Sequence, residues 1–193
     1  MPEVSPSVLI IRLDAIGDAL ALTPLLAAFR RRAIPVDVVL SRANAGVFTA
    51  RAARRAIVAG FALRSSDRSN LAAIERFGHG LRANGYSHAL VATEDPGGYR
   101  LAAAVAAPNR VGFINAWGKP FKALWARRLL SAGVHRRAGL DPRAPHECEV
   151  LFGLGRSLVG DGPPTRELAQ LRPLVIDGAP EPDERIAVQV TDK

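Results

Sequence analysis

The segment Asp14-Ala15-Ile16-Gly17-Asp18 places two carboxylates directly after an apolar run, Val8-Leu9-Ile10-Ile11-Arg12-Leu13. Carboxylates at the carboxyl end of a buried strand stand where open parallel sheets bind their ligands. A carboxylate there can take a proton from a hydroxyl group. The turn holds a single glycine, so it is neither a GxGxxG dinucleotide loop nor a Walker A loop. Two carboxylates would also repel a pyrophosphate, which disfavours a nicotinamide-dependent dehydrogenase. The ligand that suits this turn is neutral and hydroxyl-bearing, such as a sugar. Asp18 has a second reading, as the N-cap of the helix that follows.

Other groupings carry less chemistry. One cysteine, Cys148, and four scattered histidines give neither an internal disulfide nor a metal-ligand spacing, which points to a reducing compartment. Lys119, Lys122, Arg127 and Arg128 alternate with Trp117, Phe121 and Trp125. Such a segment fits base stacking with phosphate contact, an interfacial helix on an anionic lipid surface, or a plain amphipathic helix with aromatics in the core. His146 begins a helical stretch, where it either orients a substrate or makes a structural hydrogen bond. Cys148 reads as a small core residue.

The net charge is +8, and lysine supplies only 3 of the 26 basic residues, arginine the rest. Arginine's planar fork suits carboxylate and phosphate, and a basic surface implies an anionic partner. A G+C-rich genome, which favours Arg and Ala codons, produces the same bias without a functional cause. Apolar residues are 48% of the chain and charged ones 23%, which excludes disordered, collagen-like and disulfide-scaffold classes. No apolar run is long enough to span a bilayer, and the first residues lack the pattern of a secretory signal.

The elements that must position these residues alternate. Strands are expected at Val8–Leu13, Val36–Leu40, Ala56–Ala59, His88–Thr93 and Arg110–Ile114. Between them the pattern predicts a helical turn at Asp18–Leu22, then a helix Pro24–Arg32 with Thr23 as N-cap and Pro24 in its first position. Further helices are expected at Ala43–Arg54, at Asn70–Ala83 capped by Ser69 and ended by Gly85, and at Gly98–Ala107. Strands alternating with helices over short loops make a Rossmann-like α/β domain with a parallel sheet. A further helix is expected at His146–Val159. Residues 161–184 contain Pro163, Pro164, Pro173, Pro180 and Pro182 and read as a linker, with a short strand at Leu174-Val175-Ile176. Arg185–Val190 reads as a new buried strand. The expected organisation is a domain over 1–160, a crossing over 161–184, and the opening of a second, truncated domain over 185–193.

The stretch VLIIRLDAIGDALALTPLLAAFR, Val8 to Arg30, closely resembles the N-terminal signature of the glycosyltransferase family 9 heptosyltransferases. Arg110-Val111-Gly112-Phe113 is similar to the family's Arg-(Ile/Val)-Gly-aromatic strand. His146-Glu147-Cys148-Glu149 with Leu151-Phe152-Gly153-Leu154 is similar to its His-Glu helix before the domain crossing. Order and spacing match across nearly the whole chain.

The resemblance implies a GT-B architecture, with two Rossmann-like domains and an active site between them. It implies transfer of heptose from ADP-heptose to the lipopolysaccharide core, with inversion and without a metal or other cofactor. The family's base maps onto Asp18. Asp14 stands where the family often has Ser or Thr. Gly17, Asp14, Arg110, Lys119, Lys122 and His146 are the expected acceptor contacts. Val190-Thr191-Asp192-Lys193 resembles the loop whose Thr and Lys meet the donor phosphates, so Thr191 and Lys193 are the expected donor contacts. The implied partners are a nucleotide sugar and a lipid-linked oligosaccharide, with peripheral contact to an anionic inner membrane from the cytoplasmic side. Nucleic acid is not expected. The alternative reading is a non-catalytic binding module for an anionic glycan or nucleic acid.

Overall fold

The computed structural model describes residues 6–62, 67–114, 120–136 and 145–175. Their strands are β1 (Val8–Arg12), β2 (Val36–Leu40), β3 (Arg55–Val58), β4 (His88–Val91), β5 (Asn109–Ile114) and β6 (Ala132–His135). The helices are α1 (Ile16–Leu20), α2 (Thr23–Arg31), α3 (Arg68–Leu81), α4 (Pro96–Val105), α5 (Pro120–Leu129), α6 (Glu147–Leu154), α7 (Arg156–Val159) and α8 (Leu168–Val175). The strands form one sheet in the order β3-β2-β1-β4-β5-β6, and every pairing is parallel. Successive side chains of a strand face opposite ways. Val8 and Ile10 of β1 accordingly pack with α2, α6 and α8, while Leu9 and Ile11 pack with α3, α4 and α5. All five residues of β1 are buried, as expected of a central strand covered by helices on both faces.

The sequence places the central strands correctly and errs where tertiary contacts decide. The helix expected at Ala43–Arg54 is a series of turns. Side chains there bond to backbone and to each other in place of a helical ladder. The buried Asn44 amide donates to the carbonyls of Arg12 (3.2 Å) and Asp14 (2.8 Å), and the Ser41 hydroxyl donates to Asn44 (3.1 Å). Strand β6 has no counterpart among the expected strands. It is a short edge strand, largely exposed and carrying Gly133, so no alternating apolar signal marks it.

Helix starts also shift. Thr23 is a helical residue, with Leu22 as the N-cap in helical conformation; its hydroxyl donates back to the Leu20 carbonyl, at 2.5 Å. Pro24 is tolerated because its missing N–H falls within the first turn. Helix α3 begins at Arg68 after Asp67, so Ser69 lies inside it. The expected helix His146–Val159 divides at Gly155, where a Cβ would lie 2.6 Å from Leu25 and 3.0 Å from Phe29.

Part of the segment read as a linker is helical. Leu174 and Val175 end α8 rather than forming a strand. The fully buried Leu174 joins the core cluster of α2 and α6, and its carbonyl accepts from the Thr49 N–H at 3.0 Å. Proline at 173 disfavours a helix in the sequence, but α8 is only two turns long and its packing against α2 compensates. The expected strand at 185–190 lies outside the described residues.

Candidate active site

Chain β1 leads through α2 to β2 on one side of the sheet, and β4 leads through α4 to β5 on the other. The direction of travel reverses between β1 and β4, so a crevice opens above their carboxyl ends. This is the switch point at which open α/β sheets bind ligands. The segment after β1 contributes Asp14 in its loop and Asp18 in α1, and the loop after β4 contributes Thr93, Glu94 and Asp95.

One residue organises this edge. Arg12, the last residue of β1, is 1% exposed and is among the largest fully buried side chains. Its Nε donates to the Asp18 carbonyl at 3.0 Å, its Nη1 to the Ala92 carbonyl, and its Nη2 to Glu147 Oε1 at 3.4 Å. The Asp14 and Asp18 carboxylates stand 3.4 and 3.5 Å from its guanidinium nitrogens. Glu147 also accepts from Arg136 Nη2 at 2.8 Å, and Arg136 reaches Glu94 at 3.4 Å. Arginine keeps its charge even here, so burial requires partners of this kind.

Asp18 is the third residue of α1, and its carboxylate remains 48% exposed. The N-cap is Ala15, and no side chain caps this helix. The N-cap reading of Asp18 is therefore excluded: the helix starts at Ile16, two residues before the expected start at Asp18. A carboxylate in a first turn is still favoured by the helix dipole. A Cβ on Gly17 would meet nothing within 4 Å, so no packing within the described chain requires glycine there.

Asp14 sits deeper. Burial pushes its carboxyl above the usual carboxylate range, against the opposing pull of Arg12 and a hydrogen bond from Thr93, and Asp18 and Asp95 add to the rise. Asp14 and Asp95 line a cleft of about 620 Å³ together with Ser41, Arg42, Gly60 and Phe61. Asp95 caps α4, accepting from the Gly97 N–H at 2.7 Å. Gly98 lets α4 approach this loop, since a Cβ there would lie 2.4 Å from Thr93 Cγ2. The cleft thus offers carboxylate acceptors beside an apolar wall, which suits a polyhydroxylated ring.

The remaining candidates are scattered. Arg110 lies at the opposite, amino-terminal end of β5, where it donates to the carbonyls of Leu129 and Ala107, each at 2.7 Å. The structure does not bring it to the cleft; it ties α5 to the sheet. His146 is the N-cap of α6, its Nδ1 accepting from the Cys148 N–H at 3.3 Å. It stands next to Glu147 but spends this nitrogen on the helix. Cys148 is half-buried, and burial pushes its thiol up. Lys119, Thr191, Lys193 and Trp117 lie outside the described residues, as does the side chain of Lys122. In α5, Trp125 packs on Tyr99 (5.8 Å between rings) beneath Arg100, while Phe121 and Leu124 are exposed. The sequence alone does not mark Arg12, Glu147, Arg136 or Asp95 as site residues. Only the presence of a cation inside an apolar strand hinted at Arg12. Among the described residues, no group of His, Cys, Asp and Glu has the geometry to hold a metal ion.

A parallel sheet in this order, with its polar residues gathered at the β1–β4 switch point, is a Rossmann-like domain. Solved structures agree with that class. The chain is similar to the glycosyl transferase family 9 protein from Veillonella parvula DSM 2008 (TM-score 0.60, 15% identity, 83% of this chain and 44% of that one). It is also similar to E. coli heptosyltransferase WaaC with ADP-2-deoxy-2-fluoro heptose (TM-score 0.60, 22% identity, 83% and 50%). A third is E. coli ADP-heptose lps heptosyltransferase II (TM-score 0.54, 18% identity, 77% and 39%). The chain spans about half or less of the length of these structures. No protein-family model and no curated protein matches the sequence. The resemblance to the heptosyltransferases therefore holds at the level of the fold.

Proposed function

We propose that this chain is the acceptor-binding half of an inverting, heptosyltransferase-like glycosyltransferase, with Asp18 as the general base. The observation that carries this reading is the Asp18 carboxylate, half-exposed at the switch point, with its backbone carbonyl hydrogen-bonded to Arg12 Nε and its carboxylate in a looser ion pair with Nη2 at 3.5 Å. The acceptor hydroxyl attacks the anomeric carbon, and its proton passes to Asp18. The bond from that carbon to the diphosphate breaks on the opposite face, and the nucleoside diphosphate leaves with the electron pair. Asp14 and the cleft beside it hold the acceptor's sugar, and Gly17 leaves room for its approach.

The donor in this reading is an ADP-heptose-like nucleotide sugar, supported by the ADP-2-deoxy-2-fluoro heptose of the E. coli WaaC structure. Thr191 and Lys193 would meet its phosphates, and a lysine there would neutralise the departing diphosphate. The acceptor is a lipid-linked oligosaccharide of the lipopolysaccharide-core kind. The exposed Phe121, Leu124, Arg127 and Arg128 of α5 would rest against anionic headgroups. No helix among the described residues is long and apolar enough to cross a membrane.

The test is transfer from ADP-heptose to a lipopolysaccharide-core acceptor by the full-length protein. An amide keeps the shape of Asp18 but cannot accept the proton. Asp18→Asn is expected to lower turnover about 10²–10⁴-fold with little change in thermal midpoint. Near-normal turnover would remove Asp18 as base and leave Asp14. A wild-type protein that retains anionic glycan but transfers nothing would favour the non-catalytic binding module.

A further inference from the structure

One guanidinium nitrogen at the switch point faces two carboxylates. Arg12 Nη2 lies 3.4 Å from Glu147 Oε1 and 3.5 Å from Asp18 Oδ1. Only the contact to Glu147 has hydrogen-bond geometry. Glu147 is moreover fixed from its other side, where Oε2 accepts from Arg136 at 2.8 Å. Arg136 is in turn held by Glu94 and lies over the Phe113 ring, 5.4 Å from its centre. As the first residue of α6, Glu147 also meets the positive end of that helix. It is brought to Arg12 from 135 residues away in the chain.

We infer that Glu147 is a positioning residue that keeps Arg12 from tightening its loose ion pair with the Asp18 carboxylate into a hydrogen bond. A carboxylate paired with a buried arginine titrates well below its ordinary range, and the weaker the base, the less it assists proton removal. Glu147 takes the hydrogen bond of Nη2, so Arg12 hydrogen-bonds α1 through the Asp18 carbonyl and meets its carboxylate only as an ion pair at 3.5 Å. The first turn of α1 is then anchored while the carboxylate three atoms away stays available. Removing the charge of Glu147 weakens its hold on Nη2, and the Asp18 carboxylate, 3.5 Å away, is placed to take it. The charged and titratable groups around Arg12 and Asp18 are Asp14 on the β1–α1 loop, Glu94 and Asp95 after β4, Arg136 after β6, and His146 and Glu147 at α6. Asp14 already has its own contact to Nη1, so it is not the competitor for Nη2.

This inference rests on the reading of Asp18 as base, but its first readout does not need transfer. Asp18 is followed by carboxyl-carbon NMR through a pH titration of the full-length protein and of Glu147→Gln. In the variant, the Asp18 carboxyl signal is expected to move at lower pH than in the parent. An unmoved or higher titration overturns the inference. If Glu147→Gln does not fold, Glu147→Asp serves, because its shorter side chain cannot reach Arg12 and Arg136 together; the same downward movement is expected. In the transfer assay, Glu147→Gln should lower kcat about 3–10-fold, leave KM near its original value, and move the acid limb of the pH profile to lower pH. A fall in kcat with the acid limb in place would mean that Glu147 acts only through stability, and would overturn the proposal. Asp18→Asn with normal turnover would instead sink the base while leaving the titration result intact.

Discussion

The two ends of the sheet each bury an ion cluster, and they are built to opposite plans. At the amino-terminal end, the fully buried Asp37 of β2 faces more donors than it has charge to match. Arg54 donates to it at 2.9 and 2.8 Å, Arg55 at 3.0 and 2.5 Å, and the Tyr86 hydroxyl at 2.6 Å. Burial alone would raise the Asp37 carboxyl; these hydrogen bonds overcome it and hold the group far below the ordinary carboxylate range. Tyr86, buried and donating to the same carboxylate, is pushed up to about 12. At the carboxyl-terminal end, one buried arginine stands among three carboxylates at 3.4–3.5 Å, and burial leaves Asp14 raised. The first cluster is saturated with short bonds and has nothing left to offer a ligand. The second has excess acceptors, loose geometry and a cleft beside it. That difference separates a structural ion cluster from a candidate active site on the same sheet.

Stability should register the difference most strongly at Asp37. Its loss removes the acceptor shared by two arginines and a buried tyrosine. Both arginine side chains are nearly half exposed and can rehydrate, so the cost falls at the lower end for a broken buried pair. Asp37→Ala is expected to lower unfolding free energy by about 3 kcal/mol, read by urea denaturation at pH 7. Because the folded-state carboxyl is lowered, its contribution is present above the unfolded value near pH ~3.9 and vanishes as pH falls through the folded one. The variant and the parent should therefore converge in strong acid. A cost that stays constant down to pH 2 would make Asp37 a packing residue and not an ionic one.

Asp14 should show the opposite sign. Its folded-state carboxyl is raised, so the ionised form costs stability once pH climbs above the unfolded value near ~3.9. Asp14→Asn is expected to stabilise the protein at pH 7 by about 0.5 kcal/mol, and to lose that advantage below pH 4. A destabilised Asp14→Asn at neutral pH would show that Arg12 and Thr93 outweigh burial, and the contrast between the two ends would weaken.

How much of this was legible in the sequence follows from the range of the interactions. Strand β1, the turn after it and the two acids are encoded within a dozen residues, so apolar patterning and one glycine found them. The central strands β2, β4 and β5 carry the same buried, β-branched signal. What escaped depends on partners far away in the chain. Arg12 reads as the polar edge of an apolar strand until Ala92 and Glu147 are brought beside it. Arg110 sits in a motif-like strand yet faces the wrong end of the sheet, because motif matching does not say which end of a strand a residue occupies. Asn44 falls in a stretch with a helical pattern, and its role in bracing the β1–α1 loop appears only when the Arg12 and Asp14 carbonyls are placed over it.

The smallest expected effect concerns Gly17, and it sharpens the comparison from the side of the ligand. Glycine inside a helix is less favourable than alanine by about 0.5–1 kcal/mol. Gly17 is the second residue of α1, it has no left-handed backbone angle, and a Cβ there would meet no atom within 4 Å. Gly98, by contrast, is held by the close approach of Thr93. A fold that required glycine for packing would resist alanine at both places. Gly98→Ala should therefore destabilise, while Gly17→Ala should leave the thermal midpoint unchanged or slightly higher. If the open space over Gly17 belongs to the acceptor, the same change should raise KM for the acceptor and leave the donor KM alone. Unaltered kinetics in Gly17→Ala would mean that the acceptor approaches Asp18 from the side of the Asp14–Asp95 cleft and not over the first turn of α1.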